Sequence, residues 1–184
     1  LEFNSREPFS DEMEAYFESL DSTGEASETR LSTMALFERS GGTRLVSLRA
    51  MKGGFPWYGS LDTRPAGLSV GNAGKPVALV EESLLIQYDL KVGDTIQIGK
   101  GNFELIGEFL KLPGESSLGS SFSPRILIPD AYLEDTELLG FGSRKSFKKH
   151  FVFKNGISDS LNQELDDRRS EFRKDSVGFG TVES

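Results

Sequence analysis

Residues 30–51 read RLSTMALFERSGGTRLVSLRAM, and two strand-like runs within them, Arg30–Arg39 and Thr43–Met51, decide the class of fold. Alternation of apolar and polar residues belongs to a strand with one face buried. Between the runs stands Ser40-Gly41-Gly42, and glycine accepts the positive φ that a tight turn demands. The stretch therefore predicts a β-hairpin.

Upstream, the sequence predicts a helix from Ser10 to Leu20. Pro8 cannot be continued backwards into a helix, and Ser10 has the short hydroxyl of an N-cap. Met13, Phe17 and Leu20 follow at i, i+4 and i+7, with Tyr16 beside them, so one stripe is apolar. Asp21-Ser22-Thr23-Gly24 ends it. Downstream of the hairpin, Lys52–Gly74 has no period and carries Phe55, Trp57 and Tyr58 among glycines and prolines, the pattern of an ordered loop. Lys75–Arg144 then reads as short strands at Val77–Val80, Thr95–Ile98, Phe103–Leu110 and Arg125–Ile128. Brief helices fall around Leu84, Leu85 and Tyr88 and over Ala131–Leu138. Strands at this spacing suggest a small, partly open β-barrel. A strand at Ser146–Phe153, a helix at Asp159–Lys174 and a terminal strand at Val177–Val182 return to the style of the opening. The expected fold class is α+β, with two α/β flanks around a compact β-rich insert. That nesting predicts that residues 1–74 and 145–184 fold without the insert.

Composition narrows the functions. Hydrophobic residues make up 36% of the 184 and charged residues 27%, with 14 Phe, enough apolar mass for a packed core. The net charge of −8 repels phosphates, so nucleic acid is not an expected partner. The absence of cysteine removes disulfides and thiolate chemistry. No run approaches the roughly 18–20 apolar residues of a membrane span, and no signal-peptide pattern opens the chain. The expectation is a soluble segment, compatible with excision from something larger.

Enzyme signatures fail one by one. Gly114-Glu115-Ser116-Ser117-Leu118 misses the final glycine of a nucleophile elbow. His150 is the only histidine, and it reads as an exposed strand residue beside Lys148 and Lys149. Glu81-Glu82 are neighbours that do not face each other and instead suit the positive end of a helix dipole. Gly99-Lys100-Gly101 is too short to cradle phosphate. Arg144, Lys145, Lys148, Lys149 and Lys154 form a basic stretch that suits either anionic headgroups or the solvated face of a strand. No catalytic, cofactor-binding or metal-ligating residue is assigned.

Residues 46–59, Val-Ser-Leu-Arg-Ala-Met-Lys-Gly-Gly-Phe-Pro-Trp-Tyr-Gly, resemble a stretch typical of YbbP-like permeases in the FtsX/MacB class of ABC transporters. The resemblance continues at Leu61–Gly67, at Leu90-Lys91-Val92-Gly93-Asp94-Thr95-Ile96, at Pro124-Arg125 and at Gly142-Ser143-Arg144, in the family's order. It implies the extracytoplasmic (MacB-like periplasmic core) domain of an inner-membrane permease. In such domains an α/β Porter subdomain, here 1–75 and 144–184, is interrupted by a β-rich Sabre subdomain, here 76–143. The implied partners are a cytoplasmic ATPase, a second permease copy and a hydrophobic or lipid-linked cargo. The implied function is non-catalytic coupling of ATP hydrolysis to extraction or export. A stand-alone extracytoplasmic ligand-binding module is the alternative. Phe55, Pro56, Trp57 and Tyr58, at the subdomain junction, are the expected cargo-contacting or gating surface.

Overall fold

The computed structural model describes residues 1–54, 61–110, 112, 123–140 and 144–181. Phe55, Pro56, Trp57 and Tyr58 lie outside the described residues. The first strand, β1 (Glu2–Ser5), leads into helix α1 (Asp11–Ser19), whose Ser10 hydroxyl accepts from the Met13 amide as an N-cap should. The hairpin is longer than its alternation suggests. Strand β2 (Gly24–Phe37) has 14 residues and β3 (Gly42–Gly53) has 12, paired from Ala26↔Gly53 to Phe37↔Gly42. At about 3.3 Å per residue β2 is roughly 45 Å long. Gly42 is required at the turn, because a Cβ there would lie 2.5 Å from the Tyr88 ring.

After β4 (Thr63–Arg64) and β5 (Val77–Glu81) comes helix α2 (Glu82–Gln87), followed by β6 (Thr95–Ile98), β7 (Gly101–Phe109) and β8 (Arg125–Pro129). The pairings close a ring: β2 on β3, β3 on β8, β8 on β5, β5 on β7, β7 on β6, and β6 back on β2. The partly open barrel expected within Lys75–Arg144 is thus a closed barrel, and it closes because the hairpin lends two staves. Its core joins Leu31, Phe37, Val46 and Leu48 of the hairpin to Val80, Ile96, Ile98, Phe103, Leu105 and Ile126. Closure leaves these strands no open edge along the paired residues.

The expected helix over Ala131–Leu138 is two single 3-10 turns, Asp130–Tyr132 and Glu134–Thr136. Glu137 stops them in the left-handed region at φ 55. Thr136 is buried, and its carbonyl accepts from Lys100 across the barrel end. An α-helix would carry that acceptor away.

Strand β9 (Lys145–Val152) lies between β1 and β2, and β10 (Gly178–Gly180) pairs with β1. The helix expected at Asp159–Lys174 breaks at Arg168 into α3 (Asp159–Asp167) and α4 (Arg169–Lys174). The break lets the Arg168 guanidinium lie over the Tyr16 ring at 4.4 Å and the Phe172 ring at 5.2 Å. A second core forms here from Phe3, Met13, Tyr16, Phe17, Phe151, Leu165 and Phe172. Phe3 is wholly buried at its centre, within 6.2 Å of five aromatic rings.

Candidate functional site

The cover over one face of the β2 sheet changes along its length. Odd-numbered residues of β2 face the barrel interior at its far end, where Leu31, Ala35 and Phe37 are buried. At its near end the same face lies beside α1, since Lys149, opposite Ser27, sits over the Phe17 ring at 5.0 Å. Between these covers, at Ser27 and Thr29, a cavity of about 440 Å³ opens. Ser27, Thr29 and Phe147 form its floor, with Phe9 on the α1 side and Asp130 and Leu133 on the 3-10 side.

Charges in and around this groove are unequal. The Lys149 ammonium is held by Glu14 and, at 3.3 Å, by Glu25. Burial raises the Asp130 carboxyl above its ordinary value, and the nearby Glu134 charge adds to that. Lys52 and a hydrogen bond from Thr29 act in the opposite direction. Of the charged groups that line the groove, Glu14, Glu28, Asp130 and Glu134 stand against Lys148 and Lys149, with Glu25 and Lys52 outside the lining.

The even-numbered face of the same strands carries a separate ionic network. Glu28 accepts from Arg30 Nε at 2.6 Å and Arg30 Nη2 at 3.0 Å, and lies 3.4 Å from Arg49. Lys148 reaches Glu2 at 2.6 Å, and His150 Nδ1 is 3.6 Å from the same carboxylate. Burial pushes the His150 pKa down. Glu2 and Glu28 pull it back up, while Lys148 and Arg30 add to the depression. His150 is therefore not the exposed residue expected from the sequence: its side chain is 14% exposed. It lies across the sheet from the hydroxyls of Ser27 and Thr29, so no serine–histidine or threonine–histidine pair forms at the groove. Among the described residues, no group of three or more His, Cys, Asp or Glu side chains could hold a metal ion. The groove presents apolar walls, two hydroxyls and more carboxylates than ammonium groups.

No protein-family model matches the chain. It is 30% identical over 123 residues to the uncharacterized ABC transporter permease YbbP of Escherichia coli K12, a match covering 65% of this chain and 15% of that protein. Its fold is similar to the periplasmic region of MacB from Actinobacillus actinomycetemcomitans, with TM-score 0.57, 10% identity, and 96% and 86% of the two chains covered. It is also similar to the extracellular domain of the ABC-type transporter YknZ from Gram-positive bacteria, with TM-score 0.62, 12% identity, and 98% and 99% covered. The chain has the MacB-type periplasmic-domain fold.

Within this MacB-type fold, the sequence motifs take structural roles. Val92-Gly93-Asp94 turns into β6, where Asp94 accepts from the Lys91 amide and Gly93 adopts φ 95. Glu81 and Glu82 stand at a helix start as expected, Glu81 being both the buried last residue of β5 and the N-cap position of α2, but the Glu81 carboxylate accepts from Arg125 Nε at 2.9 Å and does not cap the helix. The basic stretch is only partly a solvated face, since Arg144 and Lys154 are exposed. Lys148 and Lys149 are internal ion-pair partners, and Lys145 donates to the Leu139 carbonyl. Sequence reasoning missed the groove because its residues come from α1, β2, β9 and the 3-10 turns, far apart in the chain. No described helix is long and apolar enough to cross a membrane.

Proposed function

We propose that this chain is the extracytoplasmic domain of an inner-membrane ABC transporter permease. It acts without catalysis, coupling ATP hydrolysis by a cytoplasmic ATPase, together with a second permease copy, to extraction or export of hydrophobic or lipid-linked cargo. The observation that carries the reading is the pairing of β1 with β10, Glu2↔Gly180 to Asn4↔Gly178. It places Glu2–Asn4 beside Gly178–Gly180, a geometry that suits insertion between two membrane spans. The identity to YbbP supports the same reading. The division into a Porter-like unit, 1–75 and 144–184, and a Sabre-like unit, 76–143, is part of the proposal. In its support, the core around Phe3 draws only on residues 1–20 and 151–179, whereas the barrel core joins the hairpin residues Leu31–Ala50 to residues 78–133.

A topology reporter active only outside the cytoplasm, fused within this domain of the full-length gene product, is expected to be active. Co-purification with an ABC ATPase is expected beside it. A silent reporter, or a full-length product without flanking spans, would refute the reading in favour of a different protein class. A stand-alone binding module would give an active reporter and no ATPase.

A further inference from the structure

The groove between α1 and the 3-10 turns has a sign and a shape that suggest what it holds. Its volume of about 440 Å³ falls within the roughly 300–1,000 Å³ of small-molecule sites. Pro8 and Phe9 on one side of the floor, and Ala131, Leu133 and Leu139 on the other, supply its apolar walls. The groove exists for a topological reason: β2 passes from the cover of α1 to the interior of the barrel, and neither reaches Ser27 and Thr29.

The groove's positive charges are already engaged. Lys149 is held between Glu14 and Glu25, while Lys148, which borders the groove, reaches Glu2 on the other face. Glu28 likewise turns away to Arg30 and Arg49. Asp130 and Glu134 remain on the 3-10 wall, where the Asp130 carboxyl feels the favourable Lys52 charge first and the opposing Glu134 charge second. An anion entering here would meet the Asp130 and Glu134 carboxylates in a partly dehydrated space, where like charges cost more than in water. A cation would relieve the opposition between Asp130 and Glu134, and an apolar body attached to it would cover Phe9, Leu133 and Phe147.

We propose that this groove is a binding site for an organic cation, a protonated amine carrying an apolar chain, with Asp130 and Glu134 taking the charged end. The site is a property of the folded domain and does not depend on the transporter reading.

The test uses the chain itself, titrated by calorimetry with submicellar dodecylammonium, dodecyl sulfate and dodecanol at neutral pH. Saturable binding of the ammonium at least tenfold tighter than of the other two is expected. The paired substitution Asp130→Asn and Glu134→Gln is expected to remove that preference, with the circular dichroism spectrum and melting temperature retained. Phe9→Ala, on the opposite wall, is expected to weaken binding of the ammonium several-fold while leaving the preference for charge. Equal binding of the sulfate, no binding of the ammonium, or a preference that survives the paired substitution would each overturn the proposal. If the paired variant fails to fold, the Phe9→Ala result and the ammonium-to-sulfate ratio of the unaltered chain still decide it.

Discussion

Chain order suggests that residues 75–144 can be removed, and the structure predicts the opposite. The far half of the hairpin has its buried face inside the barrel, where Leu31 is 5% exposed and Phe37, Val46 and Leu48 are 0% exposed. Replacing residues 75–144 with a short glycine linker takes away the strands that cover those side chains. Fully burying one such side chain contributes about 1.5–3 kcal/mol. The four together therefore represent about 6–12 kcal/mol, comparable with the about 5–15 kcal/mol that holds a whole domain folded. The hydrogen-bond ladders from β3 to β8 and from β2 to β6 are lost with them. The remnant is expected to bind a hydrophobic dye and to melt without a cooperative transition by circular dichroism. A second variant sharpens the test by also shortening the hairpin, joining Arg30 to Arg49 through a two-residue turn. It removes the four exposed side chains and leaves the aromatic core around Phe3 intact, and it is expected to melt cooperatively. A simple deletion that melts cooperatively within about 10 °C of the whole chain would refute the reasoning. The hairpin would then need no cover from the barrel.

Three further outcomes follow from particular side chains. Phe3→Ala empties the centre of an aromatic cluster and is expected to cost about 3–5 kcal/mol in denaturant unfolding, against under about 1 kcal/mol for an exposed site such as Met34→Ala. Because the folded state depresses the His150 pKa, the unfolded chain binds the proton more readily. Stability is expected to be full above the ordinary histidine value near 6.5 and to fall as the pH drops below it; His150→Gln should flatten melting temperature over that window, and an unchanged slope would count against a buried neutral imidazole. If Phe55, Pro56, Trp57 and Tyr58 contact cargo, emission from the single tryptophan should be red-shifted in the free domain and move to the blue with lipid vesicles; blue emission without a lipid response, or a loss of about 3–5 kcal/mol in Trp57→Ala, would return them to a core.

Much of the local structure was legible along the chain. Ser10 caps α1 where a short hydroxyl follows a proline by two residues, and Met13 and Phe17 are buried on the stripe their spacing marks. Glycines set the turn of the hairpin, and the short strands from Val77 to Ile128 begin within about two residues of where their composition places them, the uncertainty usual for element boundaries. These features depend on bonds and contacts between near neighbours, so a window of ten or fifteen residues contains their cause. The strand Glu2–Ser5 escaped notice because four residues carry too little alternation to register.

What only the tertiary structure decided are matters of partnership. Alternation marks which face of β2 is apolar, but it does not say that α1 lies beside that face at one end and the barrel wraps it at the other. A strand's two edges are chemically alike, so its neighbours are chosen by the packing of the whole sheet, and that choice closed the barrel through the hairpin. Burial follows from the same choice. Glu28 and His150 stand in segments whose composition suits a solvated strand, yet both are enclosed because Arg30, Arg49, Lys148 and Glu2 converge on them from four strands, β2, β3, β9 and β1. The groove at Ser27 and Thr29 has no counterpart in any single segment. It exists because two covers, each encoded locally, stop short of each other over one strand long enough to serve both.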